Sequence, residues 1–106
     1  MSTQPEYSDW QQILDLVAGA AETGEHELLL TMLMTPDERS AMVARVNIVC
    51  ELLKGELSQR QISQMLGVGV ATITRGSNEL KARTDQEKQQ IAQLLMMDSP
   101  SQRDGE

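Results

Sequence analysis

Aromatic side chains are almost missing from this sequence: it has no phenylalanine, and Tyr7 and Trp10 are its two aromatic residues. Proteins that stack the bases of single-stranded DNA or of RNA do so on aromatic rings, so the sequence disfavours that class of reader. Cysteine occurs once, at Cys50 inside an apolar run, which excludes an internal disulfide and a cysteine-cluster metal site and points to core packing. The single histidine, His26, stands among acidic residues with no second ligand to form a metal site. No pair of carboxylates and no His- or Cys-based set has a plausible catalytic spacing, so an enzyme is the least supported class. Long hydrophobic runs are also lacking, and nothing approaches the ~20 apolar residues of a membrane span. The opening MSTQPEYSD is polar and acidic, unlike a secretory signal, so a cytoplasmic location is expected.

Basic residues are few as well. The formal net charge of −7 argues at first against a nucleic-acid partner. The distribution reverses that inference. Residues 1–53 carry nine acids and two bases, and residues 84–106 carry five acids and two bases. Residues 54–83 instead hold Lys54, Arg60, Arg75, Lys81 and Arg83 against Glu56 and Glu79, a local charge of +3. Positive charge gathered into one block is what a phosphate-binding surface requires, although a charge run can also be only a solvated face.

What is present is helix punctuation. Ser8 with Gln11 can start a helix running to about Ala21, with Trp10, Leu14 and Val17 on one face. After Gly24, residues 25–33 form a short second helix. Thr35 then offers a cap, Pro36 suits the first helical position, and Asp37 and Glu38 favour the positive end of the helix dipole. This third helix should stop at Gly55. Ser58 with Gln61 opens a fourth that ends at Gly67, a fifth runs from about Val70 to Lys81, and Thr84 with Glu87 caps a sixth ending near Met97. The expected architecture is all-α: a disordered arm over 1–6, a helical domain over 7–97 with a helix-turn-helix at 59–82, and a disordered tail over 98–106. A helical monomer of this size has little stability to spare, so sharing a core with a second copy is plausible from the outset.

The segment QRQISQMLGVGVATITRGSNELK (59–81) carries the function. Two short helices crossing steeply need a glycine in the turn, a small residue where they touch, and apolar contacts at fixed offsets. Gly67 supplies the first, Ser63 the second, and Ile62, Leu66, Val68 and Ile73 the third. A plain helical hairpin would satisfy the same pattern. The second helix, however, presents Ala71, Thr72, Thr74, Asn78 and Lys81 with no bulky side chain. Such a face can enter a major groove, touch thymine methyls and bond base edges, and Arg60 can reach guanine or phosphate. Val70, Thr72, Ile73 and Thr74 are β-branched and Gly76 interrupts, so this helix is weak alone and open to control by whatever orders it.

Ala41, Arg45, Ile48 and Leu52 share one stripe of the third helix, which sets Arg45 in an apolar row. A guanidinium there must snorkel, pair with an acid or meet a ligand. Arg75 lies beside Gly76, whose missing side chain would leave room for something flat; a phosphate contact is the plainer role for this arginine.

The run LLTMLMTPDERSAMVARVNIVCELLKGELSQRQISQMLGVGVATITRGSNELK (29–81) strongly resembles the bacterial tryptophan repressor family. Its segments TPDER, LSQR and ATITRGSN are long and nearly contiguous, and weaker similarity reaches back to DWQQILDLV and forward through the sixth helix, covering about 7–97. The resemblance implies a six-helix intertwined homodimer with L-tryptophan as corepressor ligand and no prosthetic group. It implies that Arg45 and Arg75 flank the indole and that Arg75 takes the carboxylate with help from Thr35. Backbone carbonyls around Met32 and Met34 of the other subunit would meet the ammonium group, and Gly76 and Glu79 complete the set. Cation–π stacking and a charge-assisted bond are what the two arginines can physically supply. The DNA-reading residues implied are Gln59, Arg60, Gly69, Val70, Ala71, Thr72, Thr74, Asn78 and Lys81, on pseudo-palindromic double-stranded operators of tryptophan-synthesis genes. The resemblance also implies docking of the second helix in the major groove and water-mediated base readout, both known behaviour of this family.

Four positions depart from the family pattern. Glu79 replaces a serine expected near the ammonium group, Ser63 a lysine that often adds a DNA contact, Val68 a small alanine, and Asn47 a basic residue. Two other readings compete: a related helix-turn-helix regulator not controlled by tryptophan, and an adaptor binding protein through the Met-rich stretches at Met32–Met34 and Met96–Met97. The joint presence of Arg45, Arg75 and Thr35 counts against the first. Methionines at helical spacing are more often core, which counts against the second.

Overall fold

A computed structural model describes residues 3–96, and within them the chain is six α-helices with no strand. The expected end of the sixth helix at Met97 and the expected tail lie outside the described residues, as do the first two residues of the expected arm. The chain divides into two compact units, one reaching to Arg39 and one beginning at Ser40.

In the first unit, residues 3–9 precede α1 (Trp10–Glu22) without forming helix. Asp9, in extended backbone, caps α1: its carboxylate accepts the Gln12 N–H at 2.9 Å, and Gln12 Oε1 accepts the Asp9 N–H at 3.1 Å. The reciprocal cap therefore lies one residue beyond the Ser8–Gln11 pair expected from sequence. Ser8 instead donates its own N–H to Gln12 Oε1 at 2.6 Å. Gly24, at φ 78°, turns the chain into α2 (His26–Leu33), which packs on α1. Neither helix contains a buried residue. Trp10 is 69% exposed, Leu28 71% and Met32 82%. Thr35 then opens α3 (Pro36–Lys54) as the sequence suggests, its Oγ1 accepting the Glu38 N–H while Glu38 Oε1 accepts the Thr35 N–H.

The second unit takes in the rest of α3, then α4 (Gln59–Leu66), α5 (Val70–Lys81) and α6 (Asp85–Met96). The Ser58–Gln61 and Thr84–Glu87 pairs form the reciprocal caps of α4 and α6, each satisfying amides that the first helical turn leaves free. The buried core is here: Ile48 of α3, Ile62 of α4 and Ile73 of α5 are 2%, 0% and 0% exposed, with Leu52, Leu57, Leu66 and Val68 packed around them. Ser77, one turn after Ile73, extends the inner stripe of α5. Cys50 is half-buried with a free thiol.

Candidate functional site

The joint between α4 and α5 is built on Ser63 and Gly67. Gly67 sits in the left-handed region at φ 69°, where a glycine avoids the steric penalty of a Cβ, and its N–H returns to the Ser63 carbonyl at 2.9 Å. The Val68 N–H reaches the same carbonyl at 3.3 Å, and the Ser63 hydroxyl donates back to the Val68 carbonyl. Ser63 is thus more than a small residue at a crossing: it closes the turn from both its backbone and its side chain. A lysine there could not make that side-chain bond, so the hydroxyl trades a positive charge for a tied turn. Val68 has negative φ, as do all described non-glycine residues.

With Ile73 and Ser77 turned inward, α5 leaves Ala71, Thr72, Thr74, Asn78 and Lys81 exposed, as the sequence reading expects, and Val70 is exposed with them. Arg60 is exposed on α4 and Gly69 caps α5. Thr74 Oγ1 donates to Gln59 Oε1 at 2.8 Å, so two of the expected DNA-reading residues hold one another and tie α4 to α5. Short side chains, Lys81 at the C-terminal end and no acid before Glu79, with Arg60 exposed on neighbouring α4, give this face the chemistry of a major-groove reader.

Behind that face lies a cavity of about 760 Å³ within the second unit. Its apolar wall comes from α3 (Ala41, Ala44, Ile48, Val49), from Val68, and from Ile91 and Leu95 of α6; its charged groups are Arg45, Arg75, Glu79 and Arg83. The cavity brings together Arg45, Arg75, Gly76 and Glu79, four of the residues singled out from sequence. Among the described residues the ion pair is Lys54–Glu51 at 3.3 Å; Arg45 and Arg75 make none. Met32, Met34 and Thr35 belong to the first unit, where Met32 is exposed and Thr35 caps α3.

Two details differ from the sequence reading. A Cβ placed on Gly76 would stand 3.3 Å from Ile48 Cγ2 and 3.8 Å from Leu52 Cδ1. The space beside this glycine is therefore filled by α3, and its first role is close packing of α5 on α3, although it also borders the cavity. Thr72, expected on the DNA face alone, lines the cavity as well. Sequence reasoning missed Arg83, Ile91 and Leu95 as lining residues. A signal for Arg83 existed, because Arg75, Glu79 and Arg83 follow one another at four-residue spacing.

Two short helices meeting at a left-handed glycine, the second with a small-residue exposed face, define a helix-turn-helix module of the DNA-binding regulator type. The family described as Trp repressor protein matches residues 8–95 of the sequence. The Trp operon repressor homolog of Vibrio atlanticus (strain LGP32) is 72% identical over 96 residues, which is 91% of this chain and 98% of that protein. The homolog of Vibrio vulnificus (strain YJ016) is 73% identical over 90% of this chain and 93% of its own. That of Aliivibrio fischeri (strain ATCC 700601 / ES114) is 66% identical over 100% of this chain and 98% of its own. The chain belongs to the Trp repressor family, whose members are DNA-binding transcriptional repressors and not enzymes.

Proposed function

We propose that this protein is a tryptophan-dependent repressor, in which L-tryptophan bound behind the reading head orders the head for operator DNA. The observation that carries the reading is the meeting of Arg45 and Arg75 at one apolar cavity directly behind α5. An indole between two guanidiniums gains cation–π contact on both faces, and Arg75 can take the carboxylate in a charge-assisted bond. Because Arg75 and the reading face share one short helix, whatever fixes Arg75 also fixes the orientation of that face. Thr35 and the backbone carbonyls around Met32 and Met34 of a second copy complete the ligand shell in this reading. Gln59, Arg60, Gly69, Val70, Ala71, Thr72, Thr74, Asn78 and Lys81 contact the DNA.

The working unit is a homodimer. Trp10, Leu14, Leu28, Leu30, Met32 and Leu33 in the first unit, and Met42, Val43, Val46 and Leu94 in the second, are exposed large apolar side chains. That is more uncovered apolar surface than a soluble monomer ordinarily carries, and a second copy of the same chain covers it. Two heads related by a two-fold axis read a pseudo-palindrome, with half-sites about 34–36 Å apart. The protein acts in the cytoplasm, and no helix among the described residues is long and apolar enough to cross a membrane.

Calorimetric titration with L-tryptophan tests the reading. One saturable site per chain is expected, with most binding lost in Arg75→Ala while the helical circular dichroism is retained. No heat and no binding by the unsubstituted protein would leave a helix-turn-helix regulator that tryptophan does not control.

A further inference from the structure

We infer that Thr74 is a positioning residue for Gln59: its hydroxyl holds the Gln59 side-chain oxygen, so that the Gln59 amide meets operator DNA through its NH2, as a donor alone. The inference rests on the DNA-reading part of the proposal above and gives the two residues different parts in it.

Gln59 opens α4 and is half-buried, and Thr74 lies on the exposed face of α5, fifteen residues later. Ile62, one turn after Gln59, and Ile73, next to Thr74, are both 0% exposed and pack into one core, which draws the two side chains together. The Thr74 hydroxyl donates to Gln59 Oε1 at 2.8 Å. A hydroxyl has one proton and a phosphate oxygen only accepts, so while this bond stands Thr74 cannot donate to the DNA backbone. Its methyl group is left for contact. The Gln59 NH2 carries two N–H donors and has no partner among the described residues. Because the amide is planar, holding its oxygen also fixes where that NH2 points.

Acceptors on DNA are phosphate oxygens and base-edge atoms such as purine N7, and an NH2 serves for either. The arrangement withdraws the paired contact by which glutamine reads adenine, since that contact needs the amide oxygen as well as the nitrogen. Gln59 therefore adds affinity without choosing adenine over guanine. Each head carries the pair, so a loss of about two- to threefold per head becomes about four- to tenfold for two heads on one operator.

The test is fluorescence anisotropy at fixed salt, with saturating L-tryptophan, on a duplex selected from a random pool by the unsubstituted full chain. It compares Thr74→Val, Thr74→Ser, Gln59→Ala, and Gln59→Ala combined with Thr74→Val. Valine keeps the methyl and the branched shape and loses the proton, whereas serine keeps the proton. Both positions lie outside the isoleucine core, so the variants should fold, which thermal melts by circular dichroism check. Thr74→Val should bind about four- to tenfold more weakly and Thr74→Ser within about twofold of the unsubstituted protein. Once Gln59 is alanine, Thr74→Val should cost nothing further. Because Gln59→Ala also breaks the bond, a tie that only stiffened the head would give the same pattern. The measurement is therefore repeated on duplexes altered one site at a time, by a methylphosphonate at a phosphate or by exchange of a purine for a pyrimidine. The Thr74→Val penalty should vanish at one altered site, which identifies the acceptor as phosphate or base edge, and persist at the others. An equal penalty on every duplex would reduce the bond to a structural tie and overturn the inference. So would a full penalty in the Gln59→Ala background, because Thr74 would then donate to DNA itself. A penalty that vanishes on exchange of one adenine for guanine, which keeps N7, would place the amide oxygen on that base and overturn it as well. In all three cases the DNA reading stands; selection of no duplex by the unsubstituted protein would remove both.

Discussion

The helices α1 and α2 are the more apolar in sequence, with Trp10, Ile13, Leu14, Leu16 and Val17 on the first and Leu28, Leu29, Leu30, Met32 and Leu33 on the second. The helices α4 and α5 are mostly polar, and each spares a single isoleucine for the core. Yet Ile62 and Ile73 are completely buried, while nothing on α1 or α2 is. Apolar content therefore does not predict which region closes on itself. The head succeeds because a short, tied turn brings Ile62 and Ile73 together against Ile48 of α3. The first unit has apolar surface in excess and lacks cover. In the proposed homodimer that difference becomes a division of labour, with α4 and α5 reading DNA and the uncovered apolar surface joining two chains.

Emptying the head's core should have the largest effect. Ile73→Ala deletes buried methylenes from a site without access to solvent and should destabilise the head by about 2–5 kcal/mol. Denaturant midpoints and amide exchange over residues 59–81 measure this. The first unit supplies the contrast. Leu28→Ala removes an exposed side chain and should cost a lone chain no more than about 0.5 kcal/mol. In a dimer that covers Leu28, the same change should weaken self-association, seen as a stronger dependence of melting temperature on concentration.

A smaller effect is expected at the cap of α4. Ser58 accepts the Gln61 N–H at 3.1 Å, and Ser58→Ala should cost about 1 kcal/mol, visible as faster exchange at the start of α4. Val68→Ala probes how far the head is ordered. Val68 packs against the core at negative φ, and its β-branch restricts the disordered chain more than alanine does. Replacing it should relax the head by roughly 0.4–1 kcal/mol. Effector-free operator binding should then weaken by about two- to fivefold, with faster exchange over residues 59–76. Unchanged exchange and unchanged affinity would remove Val68 as an ordering residue.

The smallest expected effect is a pH dependence. Its hydrogen bond to the Thr84 backbone, with help from Arg83, holds the Glu87 carboxyl below the ordinary carboxylate value. A lowered folded-state value favours the charged form in the folded chain. The stabilisation of the α6 cap is then complete above the ordinary carboxylate range and is lost as pH falls through the lowered value. Glu87→Gln keeps the hydrogen bond and should flatten that acid-side loss, which helical circular dichroism between neutral and acidic pH measures.

The caps explain how much of this fold is legible in the sequence. Thr35–Glu38, Ser58–Gln61 and Thr84–Glu87 each satisfy free amides with residues three apart, so local chemistry alone places the starts of α3, α4 and α6. At the start of α1 two overlapping pairs, Ser8–Gln11 and Asp9–Gln12, satisfy the same rule, and periodicity cannot choose between them. The core isoleucines were legible for α4 and α5 because their offsets around Gly67 are fixed by the turn. The cavity was legible only in part. Arg45 stands out as a cation in an apolar stripe, but Ile91 and Leu95 enter from α6, more than forty residues away in the chain, and no periodicity reports a contact at that range. At Gly76, for a related reason, the sequence marks a missing side chain without showing how closely Ile48 approaches it.

If tryptophan controls DNA binding through the head, operator affinity must depend on the effector. Duplex DNA selected from a random pool by the tryptophan-loaded protein should yield a pseudo-palindrome. Fluorescence anisotropy on that duplex at fixed salt should show binding at least tenfold tighter with saturating L-tryptophan than without it, the scale of an ordinary coupling between two sites. Arg75→Ala should erase the difference. Equal affinity in the presence and absence of tryptophan would contradict the account.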